Sequence, residues 1–214
     1  MRFLMIAVLL AAPLFSHWAM ADAMNDVRAL QQQWEQIKYQ RPAEQHAEAF
    51  AALAKQAASA VATNPGSAEP LIWQGIILAS QAGAEGGLGA LSYCKAAKAA
   101  LEQALKIDAK ALQGSAYTSL GSLYYQVPGW PISFGDDEQA RQLLNQAVAI
   151  NPDGIDSNYW LGAFLYDQGE LAAALKVLEK AEQAAPRPGR ELADSGRRAE
   201  IASLKASIKA ELGR

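Results

Sequence analysis

Residues 155–186, "IDSNYWLGAFLYDQGELAAALKVLEKAEQAAP", decide the fold. Leu161, Leu165 and Leu178 recur at helical spacing, and Gly162, Ala174 and Ala181 stand where two helices could approach closely. "QGE" at 168–170 supplies a turn between them, and Pro186 ends the second helix. The segment reads as two antiparallel helices held close by small residues.

The same marks recur upstream. Leu120, Gly121, Tyr124, Ala140, Leu144, Ala147 and Pro152 repeat the pattern, but Gly121 to Ala140 spans 19 positions where Gly162 to Ala174 spans 12. Seven residues are therefore inserted between the paired helices. Gly75, Leu78, Ala97, Leu101 and Ala104 repeat it with ten inserted, and Ala109 stands where the other units have Pro. Leu53, Ala57, Ala60 and Pro65 read as the second helix of an N-terminal unit whose first helix, displaced by Pro42, falls at 26–40. Ile201, Leu204, Ile208 and Leu212 make an apolar stripe suited to a capping helix. A fixed period of this kind is the mark of a solenoid in which each unit buries its apolar face against the next.

The expected architecture is an all-α solenoid of about three and a half units. A single domain, 22–214, holds units at roughly 26–66, 68–110, 114–153 and 155–187 with a capping helix at about 191–212. Two inserted loops are expected on one edge, "AGAEGGLGALSY" at 82–93 and "VPGWPISFGDDE" at 127–138. Asp136 is placed to cap the helix that follows, with Gln139 three residues on.

The pattern is that of the tetratricopeptide repeat, and the chain resembles exported bacterial tetratricopeptide-repeat (TPR) proteins over most of residues 45–186. The interrupted repeats and the loop ahead of "GDDEQAR" also resemble the periplasmic T component associated with TRAP-type transporters. That resemblance implies repeats surrounding a pore or groove and a role beside a solute-binding protein. Members of that family commonly carry a lipid anchor, whereas the only cysteine here is Cys94, far from the N-terminus.

Residues 1–21 read as a signal peptide: Arg2, an apolar run from Phe3 to Phe15, then Ala19-Met20-Ala21, with cleavage expected after Ala21. The apolar run is shorter than the ~20 residues that span a bilayer, so no stable membrane anchor is expected. Export places the protein in the periplasm. Without Arg2, 18 basic residues face 22 acidic ones, a balance that argues against nucleic acid as a partner. With one cysteine there is no internal disulfide, and stability must come from packing.

Catalytic and cofactor chemistry have little to stand on. His46 is the one histidine beyond the signal segment, no G-x-S-x-G accompanies it, and "GAEGGLG" lacks both G-x-G-x-x-G order and a phosphate-binding lysine. No cofactor, metal or catalytic residue is expected. The function expected is binding or scaffolding of a protein or peptide, with a small-ligand carrier of a transport system as the alternative and an unrecognised enzyme as the third reading.

The binding residues expected are those that a first helix turns to the groove: Thr118, Ser122 and Tyr125 in one unit, Tyr159 and Tyr166 in the next. Trp130 and Phe134 are expected to fold back from the inserted loop over Tyr125 and roof the groove. Arg197 and Arg198, in the cluster Arg187–Arg198, are placed either to hold an anion or to form local ion pairs and cover helix ends.

Overall fold

The computed structural model describes residues 14–213, with side chains from Ala23 onward. These residues form α1 (Leu14–Gln40), α2 (His46–Thr63), α3 (Ala68–Glu85), α4 (Ala90–Ile107), α5 (Ala111–Gln126), α6 (Asp137–Ile150), α7 (Ile155–Asp167), α8 (Leu171–Glu182) and α9 (Glu191–Leu212). Pro42 separates α1 from α2, and one 3-10 turn, Ala43–Gln45, leads into α2. The described part is an all-α, TPR-like helical solenoid. The signal-peptide segment falls mostly outside the described residues.

Helices pair in sequence order, α3 with α4, α5 with α6 and α7 with α8, and one device repeats in all three pairs. A Cβ placed on Gly75 would lie 2.5 Å from Leu101 Cγ; on Gly121, 2.7 Å from Leu144 Cγ; on Gly162, 2.7 Å from Leu178 Cγ. Each glycine therefore seats a fully buried leucine of the partner helix, leaving no room for a side chain of its own.

The two insertions take different forms. The ten extra residues between α3 and α4 do not make the loop expected at 82–93. They lengthen both helices to 18 residues, against 13 and 12 in the α7–α8 pair, and leave only Gly86–Gly89 as a turn. Ala82, Ala84, Ala90 and Leu91 are good helix formers, and Ala82 and Ala90 gain burial there. In 127–136, Pro128 and Pro131 forbid the same solution, so the loop persists. Its ends are joined: Gly135 N–H donates to Pro128 O at 3.0 Å and Asp136 N–H to Tyr124 O at 2.8 Å. Asp136 caps α6, its Oδ1 accepting from Gln139 N–H at 3.0 Å.

Three apolar clusters run along the solenoid. Val27, Leu30, Trp34, Phe50, Leu53 and Trp73 join α1, α2 and α3. Leu71, Ile72, Leu101, Leu120 and Leu123 form the middle. Leu144, Phe164, Leu178, Ile201 and Ile208 bind α6 to α9. Ile201, Leu204 and Ile208 thus seal the last repeat as a capping helix must, whereas Leu212, at the end of the expected stripe, is exposed.

A ring-closed cavity as candidate binding site

The superhelix turns far enough that its last helix meets its first. α9 packs on α7 and α8 and also on α1. Arg190 Nε donates to Glu35 Oε2 at 3.3 Å, and Ala193 N–H donates to the same oxygen at 3.3 Å. Lys38 Nζ lies 3.6 Å from Glu200. Gly196 lets α9 press on the Tyr39 ring, since a Cβ there would stand 2.4 Å from its carbons.

Closure bounds a partly open cavity of about 1250 Å³, walled by α1, α3, α5, α7 and α9 with the first turns of α2 and α4, and rimmed by the Gly86–Gly89 turn and by Val127 and Pro128. One part of the wall is apolar, with Phe50, Ile76, Leu91 and Leu123. Another is aromatic: Trp34 stands edge-on to Tyr39 and to Trp73, with centroids 5.9 and 6.0 Å apart, and Tyr159 to Trp160 at 5.2 Å.

The charged end is internally balanced. Asp156, in the first turn of α7, accepts from Arg187 Nη1 at 2.7 Å and from Arg197 Nε at 2.8 Å. Arg187 also donates to Asp194, and Arg197 to Glu200 at 2.5 Å. Lys38, Arg187, Arg190 and Arg197 are thus matched by Glu35, Asp156, Asp194 and Glu200. Burial alone would raise the Asp156 pKa, but Arg197 and then Arg187 outweigh it and hold the carboxyl at about 2. Burial likewise pushes the Tyr39 and Tyr159 phenols up, against Arg197. The guanidinium of Arg197 lies 4.1 Å from the Tyr159 ring centroid and 5.2 Å from that of Trp160, and Arg190 lies 5.2 Å from that of Trp73. Of the two readings of the arginine cluster, ion pairing is the one the structure displays.

The residues expected from sequence divide in two. Thr118, Ser122, Tyr159 and Arg197 come together on the cavity wall. Tyr125 instead packs edge-on against Phe164 of the next repeat, centroids 5.6 Å apart, because the corresponding turn of the helix faces its neighbour. Tyr166 is also off the wall, its hydroxyl bonded to Glu211 of α9. Arg198 covers the end of α8, donating to the carbonyls of Glu182 and Ala184. The expectation that Trp130 folds back over Tyr125 is wrong: Trp130 is 89% exposed. Only Phe134 turns inward, edge-on to Tyr124 at 5.5 Å and under Lys98 at 5.7 Å. The loop rims the cavity through Val127 and Pro128, not through its aromatic residues.

Trp34, Tyr39, Trp73, Arg190 and Asp156 were not anticipated as a group. Trp34, Tyr39 and Trp73 pack together on α1 and α3, and Arg190, on the approach to α9, and Asp156 of α7 join them only because the ring closes. At the entry to α5, Leu112, Gln113 and Gly114 take positive φ values of 46°, 55° and 77°, and the first two line the cavity. Such conformations cost non-glycine residues about 1–3 kcal/mol each. His46 also lines the wall, its Nε2 3.0 Å from Arg41 O. Among the described residues, no three His, Cys, Asp or Glu side chains are grouped to hold a metal ion.

Residues 132–208 match the family model described as Tetratricopeptide repeat. The fold is of the TPR type. A thermophilic TPR protein of Thermus thermophilus has a similar structure, with 19% identity, 89% of this chain and 93% of that one covered, and a TM-score of 0.56. MamA from Desulfovibrio magneticus RS-1, residue 41 to the end, aligns at 16% identity over 85% of this chain and 97% of that one, with a TM-score of 0.45. No curated protein sequence matches the chain.

Proposed function

We propose that this TPR-type chain is a non-catalytic binding protein of the bacterial periplasm that takes a segment of a protein or peptide partner into its ring-closed cavity. The observation that carries this reading is the cavity itself: about 1250 Å³, with apolar and aromatic walls and the charges at one end already paired. Apolar area with a few fixed polar groups is what recognition sites offer. A TPR-type fold suggests a protein-binding scaffold.

Export is supported by the Phe3–Phe15 run and by Ala19-Met20-Ala21. Cleavage before Asp22 would leave Ala23 and Val27, both buried, in the mature chain. Among the described residues no helix is long and apolar enough to cross a membrane. Intact-mass measurement on the periplasmic fraction should find a chain beginning at Asp22; a chain retaining residue 1 sinks this part.

One observation favours a second reading, a small-ligand carrier of a transport system. Closure of α1 on α9 turns a groove into a partly enclosed space, which suits a whole small molecule as well as a chain segment. A photocrosslinking residue at Ser119, on the cavity wall, separates the two readings in living cells. A peptide or protein adduct that is absent when the crosslinker sits at Glu179, exposed on α8, supports the first. A small-molecule adduct supports the carrier, and the same adducts from both positions defeat the cavity as the site.

A further inference from the structure

The ring is closed by contacts of a different kind from those that build it. Every sequential neighbour along the solenoid shares an apolar cluster, but no residue of α9 belongs to the α1–α3 cluster and none of α1 to the α6–α9 cluster. Where α1 meets α9, the contacts are the Arg190 and Ala193 N–H bonds to Glu35, the Lys38–Glu200 pair and Tyr39 against Gly196, with the Arg190 guanidinium also over Trp73 of α3. Ion pairs of this sort contribute little once desolvation is counted, whereas the apolar clusters carry most of the folding free energy.

α9 is meanwhile fixed to its own repeat. Ile201 and Ile208 are fully buried against α7 and α8, Arg197 bonds Asp156, and Arg198 holds the end of α8. Parting α1 from α9 would widen the opening of the cavity on the α1–α9 side while leaving every shared apolar cluster intact. We propose that the α1–α9 seam is the gate of the cavity: the ring opens there, between Glu35 and Lys38 on one side and Arg190 and Glu200 on the other. The gate stands whatever the cavity holds, since it rests on the contacts of the seam alone. Local opening at the least stable contact is the general behaviour of proteins, and here that contact bounds the binding space.

Nitroxide labels at Gln36 and Ser195, both exposed and flanking the seam, test this by pulsed electron–electron distance measurement in a Cys94→Ala background, with Asn145 and Lys176 as a control pair on α6 and α8. Combining Glu35→Gln with Lys38→Gln should add a longer seam distance in at least about one molecule in ten, above the usual range of minor states. The control distance and the helical circular dichroism should not change. An unchanged seam distance, or both pairs broadening together, overturns the proposal. Should the double variant fail to fold, hydrogen exchange on the unaltered chain decides: the Ala193 amide, which donates to Glu35 across the seam, must exchange by a lower-energy opening than the amides of α5, and its exchange only through global unfolding overturns the proposal.

Discussion

Arg190 and Glu35 stand 155 positions apart in sequence, and their side chains meet at 3.3 Å. That bond, with Ala193 N–H on the same carboxylate, ties the approach to the capping helix to the first helix. It turns a four-pair solenoid into a ring with a defined interior.

The first prediction concerns the fit at this closure. Gly196→Ala puts a methyl group 2.4 Å from the Tyr39 ring, so the ring or α9 must move. Overpacking should cost about 1–3 kcal/mol. The control is Gly83→Ala in α3, where nothing lies within 4 Å; replacing a helical glycine there should gain about 0.5–1 kcal/mol. Urea unfolding of both variants checks the pair, and equal midpoints would rule out a packed seam.

Within the repeats, Gly162→Leu should be worse still. The buried Leu178 already fills the space, and a leucine at 162 must separate α7 from α8. The expected loss is about 3 kcal/mol or more, seen as a lowered thermal midpoint. An unchanged midpoint would mean that the helices are paired in a different register.

These glycines show what was legible in the sequence. Small residues opposite leucines, together with the helical period and the prolines, are local marks, so the helix pairs, the capping helix and the Asp136 cap could be read directly. The inward face of a first helix is also a local property and puts Thr118, Ser122 and Tyr159 on the inner wall, but Tyr125 and Tyr166, at the far ends of the same helices, meet Phe164 and Glu211 instead. Ring closure is not local. It depends on small rotations accumulated over four pairs, and no residue of α1 carries a sign that it will meet Arg190. The insertion at 82–93 misled for another reason: repeat spacing counts residues between landmarks but is blind to whether they extend a helix or leave it. Alanines extended α3 and α4, and prolines kept 127–136 a loop.

The loop gives a third prediction. Trp130→Ala removes an exposed ring and should change stability by no more than about 0.5 kcal/mol. Phe134→Ala removes the ring packed on Tyr124 and should cost about 1–2 kcal/mol, part of the ~1.5–3 kcal/mol of a fully buried Phe. Thermal unfolding of the two single variants separates them; the reverse order would place the wrong aromatic inside.

Asp156 predicts the acid limb of stability. Its carboxyl, ordinarily near 3.8, is held at about 2, so the folded state favours the ionised form. That contribution is complete above about pH 4 and is lost as pH falls from about 4 to about 2, where Arg187 and Arg197 lose their shared partner. The Asp156 side chain is 36% exposed, which screens and reduces the gain. Asp156→Asn should be less stable at neutral pH and should show a flatter melting curve against pH across that window. Parallel curves for the two proteins would exclude the assignment.

If the interior of the ring is the binding site, it must hold its partner or ligand in the protein as the cell makes it. Native mass spectrometry of the chain purified from the cells that make it, beside its Ser119→Trp variant, is the test, because Ser119 lines the cavity and an indole there occupies the space. The expected result is a non-covalently bound mass on the unaltered protein that is absent from a folded Ser119→Trp variant. An unaltered protein that is empty, or a bound mass that survives the substitution, would contradict it.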